Sequence, residues 1–282
     1  MKAIKNDARR VFLKKGTCSQ TLCYLLDREF GHLKENEERA ADPLAGGMMQ
    51  NGQQCGMLWG AALAVGAESF RRRSDNRDQA IGAAITATQY LVESFSKTAK
   101  SVNCQDIIDC DFSSRFGLAK AFLFGRFIRC FKLAGRWAPE AIQAATAGLS
   151  HGQTDLPRLS VSCASEVVKK MGASDEEMVM VAGFAGGIGL SGNGCGALAA
   201  ATWMTVLGLV RKNDWKYSLS DPVTGEILKK FHAAAGSEME CQKITGKRFS
   251  NIGEHSEFIR NGGCKDLINI LAGSQSLAMD GN

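Results

Sequence analysis

The sequence predicts an all-α protein made of two copies of one helical unit. Three observations favour this fold: aromatic residues make up only 7% of the 282 residues, proline occurs four times, and a long stretch of sequence is repeated. Alanine and glycine are abundant, which suits closely packed helices, whereas strands favour β-branched and aromatic side chains. Only two long copies exist, which excludes a fixed-period repeat array. We therefore predict two similar bundles of about five helices each, over residues 1–150 and 151–282.

The repeat is clearest in a glycine-rich segment. Residues 45–58 (AGGMMQNGQQCGML) align without a gap with residues 185–198 (AGGIGLSGNGCGAL) and agree at seven positions. Residues 104–113 (CQDIIDCDFS) match residues 241–250 (CQKITGKRFS) at five of ten positions.

The cysteines follow the same repeat. Eight of the ten belong to two matching sets, because Cys18 corresponds to Cys163 upstream and Cys130 corresponds to Cys264 downstream. Four thiols repeated in order are the ligand quota of one metal centre. The first set is Cys18, Cys55, Cys104 and Cys130, and the second set is Cys163, Cys195, Cys241 and Cys264.

The first helices of each copy have clear end signals. Periodicity predicts a helix over residues 2–30 that ends near Gly31, and its counterpart over 164–171 ends at Gly172. Ser174 and Glu177 have the spacing of a capping box that opens the next helix.

The central helix of each copy starts at the second cysteine. The segments that follow Cys55 and Cys195 are apolar on nearly every face, which is typical of a buried helix. Further helices are predicted over 79–98, 118–133, 226–235 and 258–271, and residues 134–157 are predicted to connect the copies.

Charge and hydropathy limit the partners and the compartment. The net charge is +5, and residues 1–15 hold six basic residues against Asp7 alone. This pattern predicts a solvated amphipathic helix, or docking on an acidic partner, and it lacks the basic stripe of a nucleic-acid-binding protein. Arg9-Arg10 resembles a twin-arginine signal, but no apolar region follows it, so we predict a cytoplasmic protein without a membrane span. In that compartment thiols stay reduced, which favours metal or redox chemistry over disulfides.

Cys55 and Cys195 are the strongest individual candidates. Each follows a glycine-rich loop at the predicted start of a helix, where free amides and the helix dipole would lower the pKa of a thiol. The simpler interpretation is that buried cysteines are small core residues. That interpretation explains one cysteine well, but it explains eight paired cysteines poorly.

A competing interpretation reads the second loop as a dinucleotide site. Residues 178–183 could form a strand, and Gly187, Gly189 and Gly192 could open the following helix. The matching segment of the first copy lacks this pattern and places Pro43 inside the strand. No second strand follows, so the hypothesis is disfavoured.

The remaining cysteines and the histidines have weaker signals. Cys23 has no partner in the second copy, and core packing is its better interpretation. Cys110 also has no partner, but its position six residues after Cys104 makes it a candidate extra ligand. The four histidines form no paired spacing, so surface or capping roles are expected. The chain contains neither CxxCH nor CxxC, which excludes attached c-type haem and disfavours a zinc ribbon or a thioredoxin-type dithiol.

The cysteine pattern resembles the C_GCAxxG_C_C family of redox-active proteins. The second copy meets the pattern with Cys163, Gly194-Cys195-Gly196-Ala197, Cys241 and Cys264, and the first copy meets it more loosely. Two departures are Ala200, near the family's last glycine, and Gln54, in place of the glycine before Cys55. A similar unit occurs in split-Soret cytochromes, where it is associated with an iron–sulfur cluster. The resemblance therefore implies a helical fold and cluster-based redox work, but no particular substrate.

The predicted function is an iron–sulfur protein that transfers electrons, either as a carrier or as an oxidoreductase. Each set of four cysteines would bind one [4Fe-4S] or [2Fe-2S] cluster, giving two clusters per chain. One alternative is a cluster-free thiol–disulfide or sulfur-transfer enzyme that uses Cys195, and Cys55, as reactive thiolates. A structural zinc protein is another. The expected partner is a redox protein, with a homodimer as a second option and neither nucleic acid nor membrane.

Overall fold

The computed structural model describes residues 7–110, 117, 123, 125–151, 159–218 and 221–278, and within them it is all-α, as predicted. These residues contain no β-strand, only two isolated bridges. The α-helices are, in chain order, α1 Ala8–Lys15, α2 Cys18–Phe30, α3 Glu35–Ala40, α4 Gly56–Arg72, α5 Arg77–Ala99, α6 Cys104–Ile108, α7 Ile128–His151, α8 Cys163–Lys170, α9 Asp175–Met180, α10 Gly196–Arg211, α11 Pro222–Ala235, α12 Cys241–Thr245, α13 Ile252–Arg260 and α14 Lys265–Ala272. Short 3₁₀ helices cover Asp42–Leu44, Ala182–Phe184 and Gly273–Ala278.

The helices repeat in the order that the cysteines predict. α2, α3, α4, α5 and α6 of the first copy correspond to α8, α9, α10, α11 and α12 of the second. The predicted capping box is present: Ser174 Oγ accepts from the Glu177 backbone N–H, and the Glu177 carboxylate accepts from the Ser174 backbone N–H at 2.7 Å. Gly31 ends α2 in the left-handed conformation that favours glycine.

The two copies pack into each other through their central helices. α4 lies against α9 and α10 lies against α3, so each copy's most apolar helix is covered partly by the other copy. At Gly66 in α4, an added Cβ would lie only 2.6 Å from the Cα of Met180, so glycine allows the close approach. The indole of Trp203 in α10 donates to the backbone oxygen of Glu37 at 3.1 Å. One hydrophobic core therefore spans both repeats.

The predicted connection over residues 134–157 is wrong for most of its length. α7 continues to His151 with Pro139 inside it, and residues 152–158 lie outside the described part of the chain. A proline inside a helix removes one backbone hydrogen bond. The loss is offset because α7 buries Trp137, whose ring packs edge-on against Phe95 of α5 at 4.7 Å. The domain boundary at residue 150 stays a prediction.

Two other predicted helices are interrupted. The first predicted helix is two helices, because Gly16 adopts a φ of 88° between α1 and α2; residues 1–6 lie outside the described part. The helix predicted over 258–271 breaks at Gly262, with a φ of 88°, into α13 and α14. Most of the predicted helix over 118–133 falls outside the described residues, and α7 starts at Ile128.

The dinucleotide hypothesis is also wrong. Residues 178–180 end α9 and Ala182–Phe184 form a 3₁₀ helix, so no strand precedes the second glycine-rich loop. Among the described helices, none is both long enough and apolar enough to cross a membrane.

Candidate metal centres

Each glycine-rich loop contains five successive residues in the left-handed region of backbone space. In the first loop these are residues 46–50, with φ between 51° and 75°, and in the second they are residues 186–190, with φ between 57° and 83°. Left-handed backbone strains every residue except glycine, so a run of five is unusual. Both loops are largely buried, and the surrounding fold holds them in place.

The left-handed turn aims a backbone amide at the first cysteine of its copy. The Gly46 amide hydrogen-bonds to the sulfur of Cys18, and the Gly186 amide does the same to Cys163. Cys18 and Cys163 are the first residues of α2 and α8, and the side chains of Thr17 and Ser162 cap those helices.

The second cysteine lies at the N-cap of the central helix in both copies. Cys55 precedes α4 and Cys195 precedes α10, as the sequence predicts. Gly56 is required here, because a Cβ at this position would lie 2.7 Å from the sulfur of Cys18. The glycine after the second cysteine therefore allows the first and second thiols to meet.

Backbone hydrogen bonds join the third cysteine to the second. In the first copy, the Cys55 amide donates to Val102 at 2.8 Å and the Cys104 amide donates to Gln53 at 2.7 Å. In the second copy, the Cys195 amide donates to Met239 at 2.8 Å, and the Cys241 amide donates to Asn193.

The fourth cysteine is where the two copies differ most. Cys130 is the third residue of the long helix α7 and is buried. Cys264 precedes α14 in a left-handed conformation, with a φ of 58°, and is partly exposed. The three-residue insertion Asn261-Gly262-Gly263 changes the approach of the backbone to the second site.

The structure brings each predicted set of four thiols together. The hydrogen bond to Cys18, then burial, and then negative charge on Cys18, Cys104 and Cys130 raise the pKa of Cys55. In the second copy, burial first and then charge on Cys163, Cys195 and Cys264 raise the pKa of Cys241. The sets are thus two local groups of sulfur atoms, all buried except that of Cys264, and their role as ligands stays a prediction.

The side chains of Cys18 and Cys55 are joined by a hydrogen bond. The Cys55 thiol donates to the Cys18 sulfur, which lowers the pKa of Cys18, with help from the backbone amides of Gly46 and Ser19. The same hydrogen bond, followed by burial, raises the pKa of Cys55 well above its ordinary value.

The predictions of low pKa values for the thiols of Cys55 and Cys195 are wrong. Burial raises the pKa of Cys195 to about 12, although the amides of Leu198 and Ala197 at the start of α10 act in the opposite direction. The free energy needed to remove a thiolate from water is larger here than the stabilisation that the amides at the helix start provide. The prediction considered the helix terminus but could not include the depth of burial.

The two unmatched cysteines occupy different surroundings. Cys110 is buried near Cys104. Burial raises the pKa of Cys104, and negative charge on Cys110 contributes to this shift. The Cys110 thiol lies 3.7 Å from the backbone oxygen of Gly117. Cys23 is fully buried in α2, and its thiol lies 3.6 Å from the carboxylate of Asp27. This placement of Cys23 agrees with core packing.

One histidine departs from the prediction. His255 is 1% exposed rather than on the surface, and burial lowers its pKa to about 4. Its Nδ1 lies 3.2 Å from the backbone oxygen of Val161, and its ring packs edge-on against Phe249. These contacts give it a structural role.

Sequence reasoning missed a set of polar residues beside Cys18. Thr17 donates to the buried Asp42 at 2.7 Å, and burial raises the pKa of Asp42 to about 6. Tyr217, from the second copy, lies near Cys18: burial first, then charge on Cys18, raises its pKa to about 12. No motif marks these residues, but Asp42 replaces Ala182 of the other copy, and that difference is visible in the sequence.

Cysteine thiolates are the ligands that iron–sulfur clusters take, so the donor atoms of each set are of the type that fits such a group. Among the described residues, no three His, Cys, Asp or Glu side chains are arranged to hold one metal ion. Four thiolates at about 2.3 Å from one zinc ion need sulfur atoms only about 3.8 Å apart. An iron–sulfur cluster distributes its four thiolates over different iron atoms and therefore accepts a wider arrangement.

Comparison with known proteins gives one family. The model of the family described as "Putative redox-active protein (C_GCAxxG_C_C)" matches this chain twice, over residues 17–140 and 160–274. No curated protein and no solved structure matches.

Proposed function

Because the chain belongs to the C_GCAxxG_C_C family of redox-active proteins, in two tandem units, we propose that it is an electron-transfer protein with one iron–sulfur cluster per unit. The observation that supports this most directly is the grouping of eight thiols, all buried except that of Cys264, into two sets of four. A bound cluster would supply one-electron redox chemistry.

The chain's own residues would set the properties of each cluster. Cys18, Cys55, Cys104 and Cys130 would hold the first, and Cys163, Cys195, Cys241 and Cys264 the second. The Gly46 and Gly186 amides would donate to ligand sulfur and so stabilise the added negative charge of the reduced state. Burial of the thiols would keep water away, which favours electron transfer over hydrolysis of the centre.

The thiol–disulfide or sulfur-transfer alternative has less support. A reactive cysteine needs thiolate near neutral pH. Burial raises the pKa of Cys195 to about 12, and the pKa of Cys55 is also raised. The structural zinc alternative lacks a compact ligand group within the described residues.

Visible absorption of the anaerobically purified protein tests the proposal. We expect a brown protein with broad charge-transfer bands and with iron and acid-labile sulfide in equal amounts. Cys104→Ser should reduce the absorption, whereas Cys23→Ser, a matched change at a buried cysteine outside both sets, should leave it unchanged. A colourless protein whose thiols titrate freely would support the thiol enzyme, and a colourless protein with bound zinc would support the zinc alternative.

A basic pocket next to the first set offers a place for a redox partner. The pocket has a volume of about 490 Å³, and its lining residues Asp106 and Arg129 lie close in sequence to Cys104 and Cys130. Its lining includes Asp106 and five exposed basic residues, which form no ion pair with any described residue: Arg9, Lys100, Arg129, Lys132 and Arg136. We propose that an acidic face of a partner protein docks here, because opposite charges steer association and shorten the distance to the first centre.

A further inference from the structure

A cavity of about 330 Å³ lies between the end of α2, the second half of α4 and the start of α9. Every residue that lines it belongs to the described part of the chain. Its lining comes from both copies, because Glu176 of α9 joins residues of α2 and α4. The volume lies at the lower end of the range that is usual for small-molecule sites.

The side chain of Asp27 forms part of the wall of this cavity. Asp27 is 2% exposed, and because it lines the cavity, that small exposed fraction faces the cavity. Its Oδ2 accepts from the Cys23 thiol at 3.6 Å, which is a weak donor, and its Oδ1 accepts from no described residue. Burial, followed by the charge of Glu38, raises the pKa of this carboxyl to about 8. The negative charge of Asp27 is therefore poorly compensated within the protein.

The other carboxylates of the lining already have basic partners. Glu68 pairs with Arg71 at 2.6 Å, and Glu176 pairs with Lys34 at 2.8 Å. Lys34 therefore acts on Asp27 only from a longer range, and Asp27 forms no ion pair with any described residue. The lining thus has one carboxyl more than it has lysine and arginine side chains, so it favours a cation over an anion.

Apolar surface adjoins the carboxyl in the cavity. Phe30 is partly buried, whereas Leu33 is 58% exposed, which is a large fraction for an apolar side chain. Both residues line the cavity, so a hydrocarbon chain bound there would cover apolar surface that now meets water. A ligand with a cationic head and a short hydrocarbon chain would match both parts of the lining.

The second copy lacks the residues that form this site. Counted from the first residues of α2 and α8, Asp27 corresponds to Gly172, and counted from those of α4 and α10, Ala67 corresponds to Leu207. Ala67 lines the cavity of the first copy, whereas Leu207 is fully buried. The carboxyl and the small side chain beside it are thus features of the first copy.

A metal ion does not find the ligands that it needs here. Cys23 and Glu38 lie close to Asp27, but within the described ranges no three His, Cys, Asp or Glu side chains are arranged to hold a metal ion. A primary ammonium group needs only acceptor oxygen, because it carries three N–H donors and forms short, charge-assisted hydrogen bonds with a carboxylate. The cation that fits this cavity is therefore organic.

We propose that this cavity binds a free primary alkylammonium ion. The ammonium group donates to the carboxylate of Asp27, whose proton passes to the solvent, and the hydrocarbon chain lies against Phe30 and Leu33. A free amine suits the volume better than a lysine side chain of a partner protein, which would bring its backbone to the cavity mouth. This binding site is separate from the proposed electron transfer and does not depend on it.

The n-butylammonium ion is the probe for this site. The controls 1-butanol and butanoate have similar carbon chains, with no charge and with a negative charge. His32 lines the cavity, so its ring resonances are followed by ¹H–¹³C NMR at constant pH on the anaerobically purified protein, and His32→Gln assigns them. We expect n-butylammonium to shift these resonances saturably in the millimolar range, as is usual for so small a ligand. The affinity of 1-butanol should be about tenfold weaker, because it forms no ion pair, and butanoate should cause no shift.

Three variants test the assignment of the residues. Asp27→Asn keeps the shape of the side chain and removes its charge, so n-butylammonium should bind no more tightly than 1-butanol. Asp42→Asn changes another buried carboxyl of the first copy, outside this cavity, and should bind both as the unmodified protein does. Ala67→Leu introduces the side chain of the second copy and should weaken the binding of both ligands. The melting temperature of each variant shows that it is folded.

Unshifted His32 resonances, equal shifts with butanoate, or an unchanged affinity of Asp27→Asn for n-butylammonium would each overturn the proposal. Nα-acetyl-lysine methylamide carries the same ammonium group on a peptide-like backbone. If it binds more tightly than n-butylammonium, a lysine side chain of a partner protein is the ligand and the free amine is refuted. The readout does not require a cluster, so a colourless protein that still binds n-butylammonium would refute only the proposed electron transfer.

Discussion

The side-chain oxygen of Gln54 accepts a hydrogen bond of 2.6 Å from the backbone amide of Gly194, the residue that holds the same place in the other copy. Gln54 is 1% exposed, and its side-chain nitrogen donates to Asn103 at 3.0 Å. These three residues immediately precede Cys55, Cys195 and Cys104. The departure from the family's glycine thus links the residues that precede the second cysteines of the two copies.

Two single substitutions should separate the two centres. Cys195→Ser should remove the iron and sulfide of the second centre and leave the first, and Cys55→Ser should do the reverse, because each set of four thiols is local to one repeat. Iron and sulfide analysis together with visible absorption measures this. Loss of all iron from either variant would mean that the repeats share one cluster.

The fifth thiol near the first set is predicted to be passive. Cys110 is buried close to Cys104, but the second copy has Lys247 at the matching place, so four thiols suffice. Cys110→Ser should leave the absorption and paramagnetic resonance spectra unchanged and lower the free energy of unfolding by about 1 kcal/mol at most. Spectral changes as large as those of Cys104→Ser would instead make Cys110 a ligand.

The contact between Gln54 and Gly194 should appear as non-additive stability. Gln54→Ala leaves the buried Gly194 amide without a partner, at a cost of about 1–3 kcal/mol. Gly194→Ala places a methyl group against the Gln54 side-chain oxygen and 2.7 Å from the sulfur of Met48, with a cost of about 1–3 kcal/mol. Urea unfolding of both variants and of the double variant measures the coupling. The double variant should lose less free energy of unfolding than the sum of the two single losses, because removing the Gln54 side chain makes room for the methyl group. Simple additivity of the two losses would argue against the contact.

The basic pocket should control reaction with charged redox reagents. Arg129→Glu combined with Lys132→Glu should slow oxidation of the reduced protein by hexacyanoferrate(III) about tenfold at low salt, because the attraction of the anion is lost. The same change should accelerate oxidation by hexaammineruthenium(III), and high salt should remove both effects. Stopped-flow absorption measures the rates. Lys170→Glu combined with Lys265→Glu, beside Cys264, is the control; an equal effect there would contradict docking at the first centre.

Stability should fall as the pH rises from 6.5 to 8. Burial, followed by the charge of Glu38, raises the pKa of Asp27 from 3.8 to about 8, so the folded state keeps a proton that the unfolded chain releases. Between the unfolded-state pKa of 3.8 and the folded-state pKa of about 8, the free energy of unfolding should decrease by about 1.4 kcal/mol per pH unit. Asp27→Asn should remove most of this slope, as urea unfolding across the range would show. Asp42→Asn is the control, because the pKa of Asp42, about 6, affects stability mainly below this window. An unchanged slope in Asp27→Asn would refute the assignment.

Sequence reasoning located the cysteines correctly on the fold, because their signals are local. The repeat placed Cys55 and Cys195 before the central helices, and the capping box at Ser174 is present as predicted. It failed where a long-range contact outweighed a local signal. Pro139 suggested a connection between the copies, yet burial of Trp137 against Phe95 keeps the helix intact. The helix-start argument for a low thiol pKa failed for the same reason, since burial of Cys195 depends on the whole fold.

The sequence by itself determined the helical class, the duplication, the family and the order of the two cysteine sets, all of which depend on composition and on short spacings along the chain. Only the tertiary structure decided how the copies meet. It brought Gln54 to Gly194, 140 residues apart, and Tyr217 of the second copy to Cys18 of the first. The cysteine sets of the two similar halves have different surroundings because each half is covered by residues of the other, and no spacing within one copy encodes that contact.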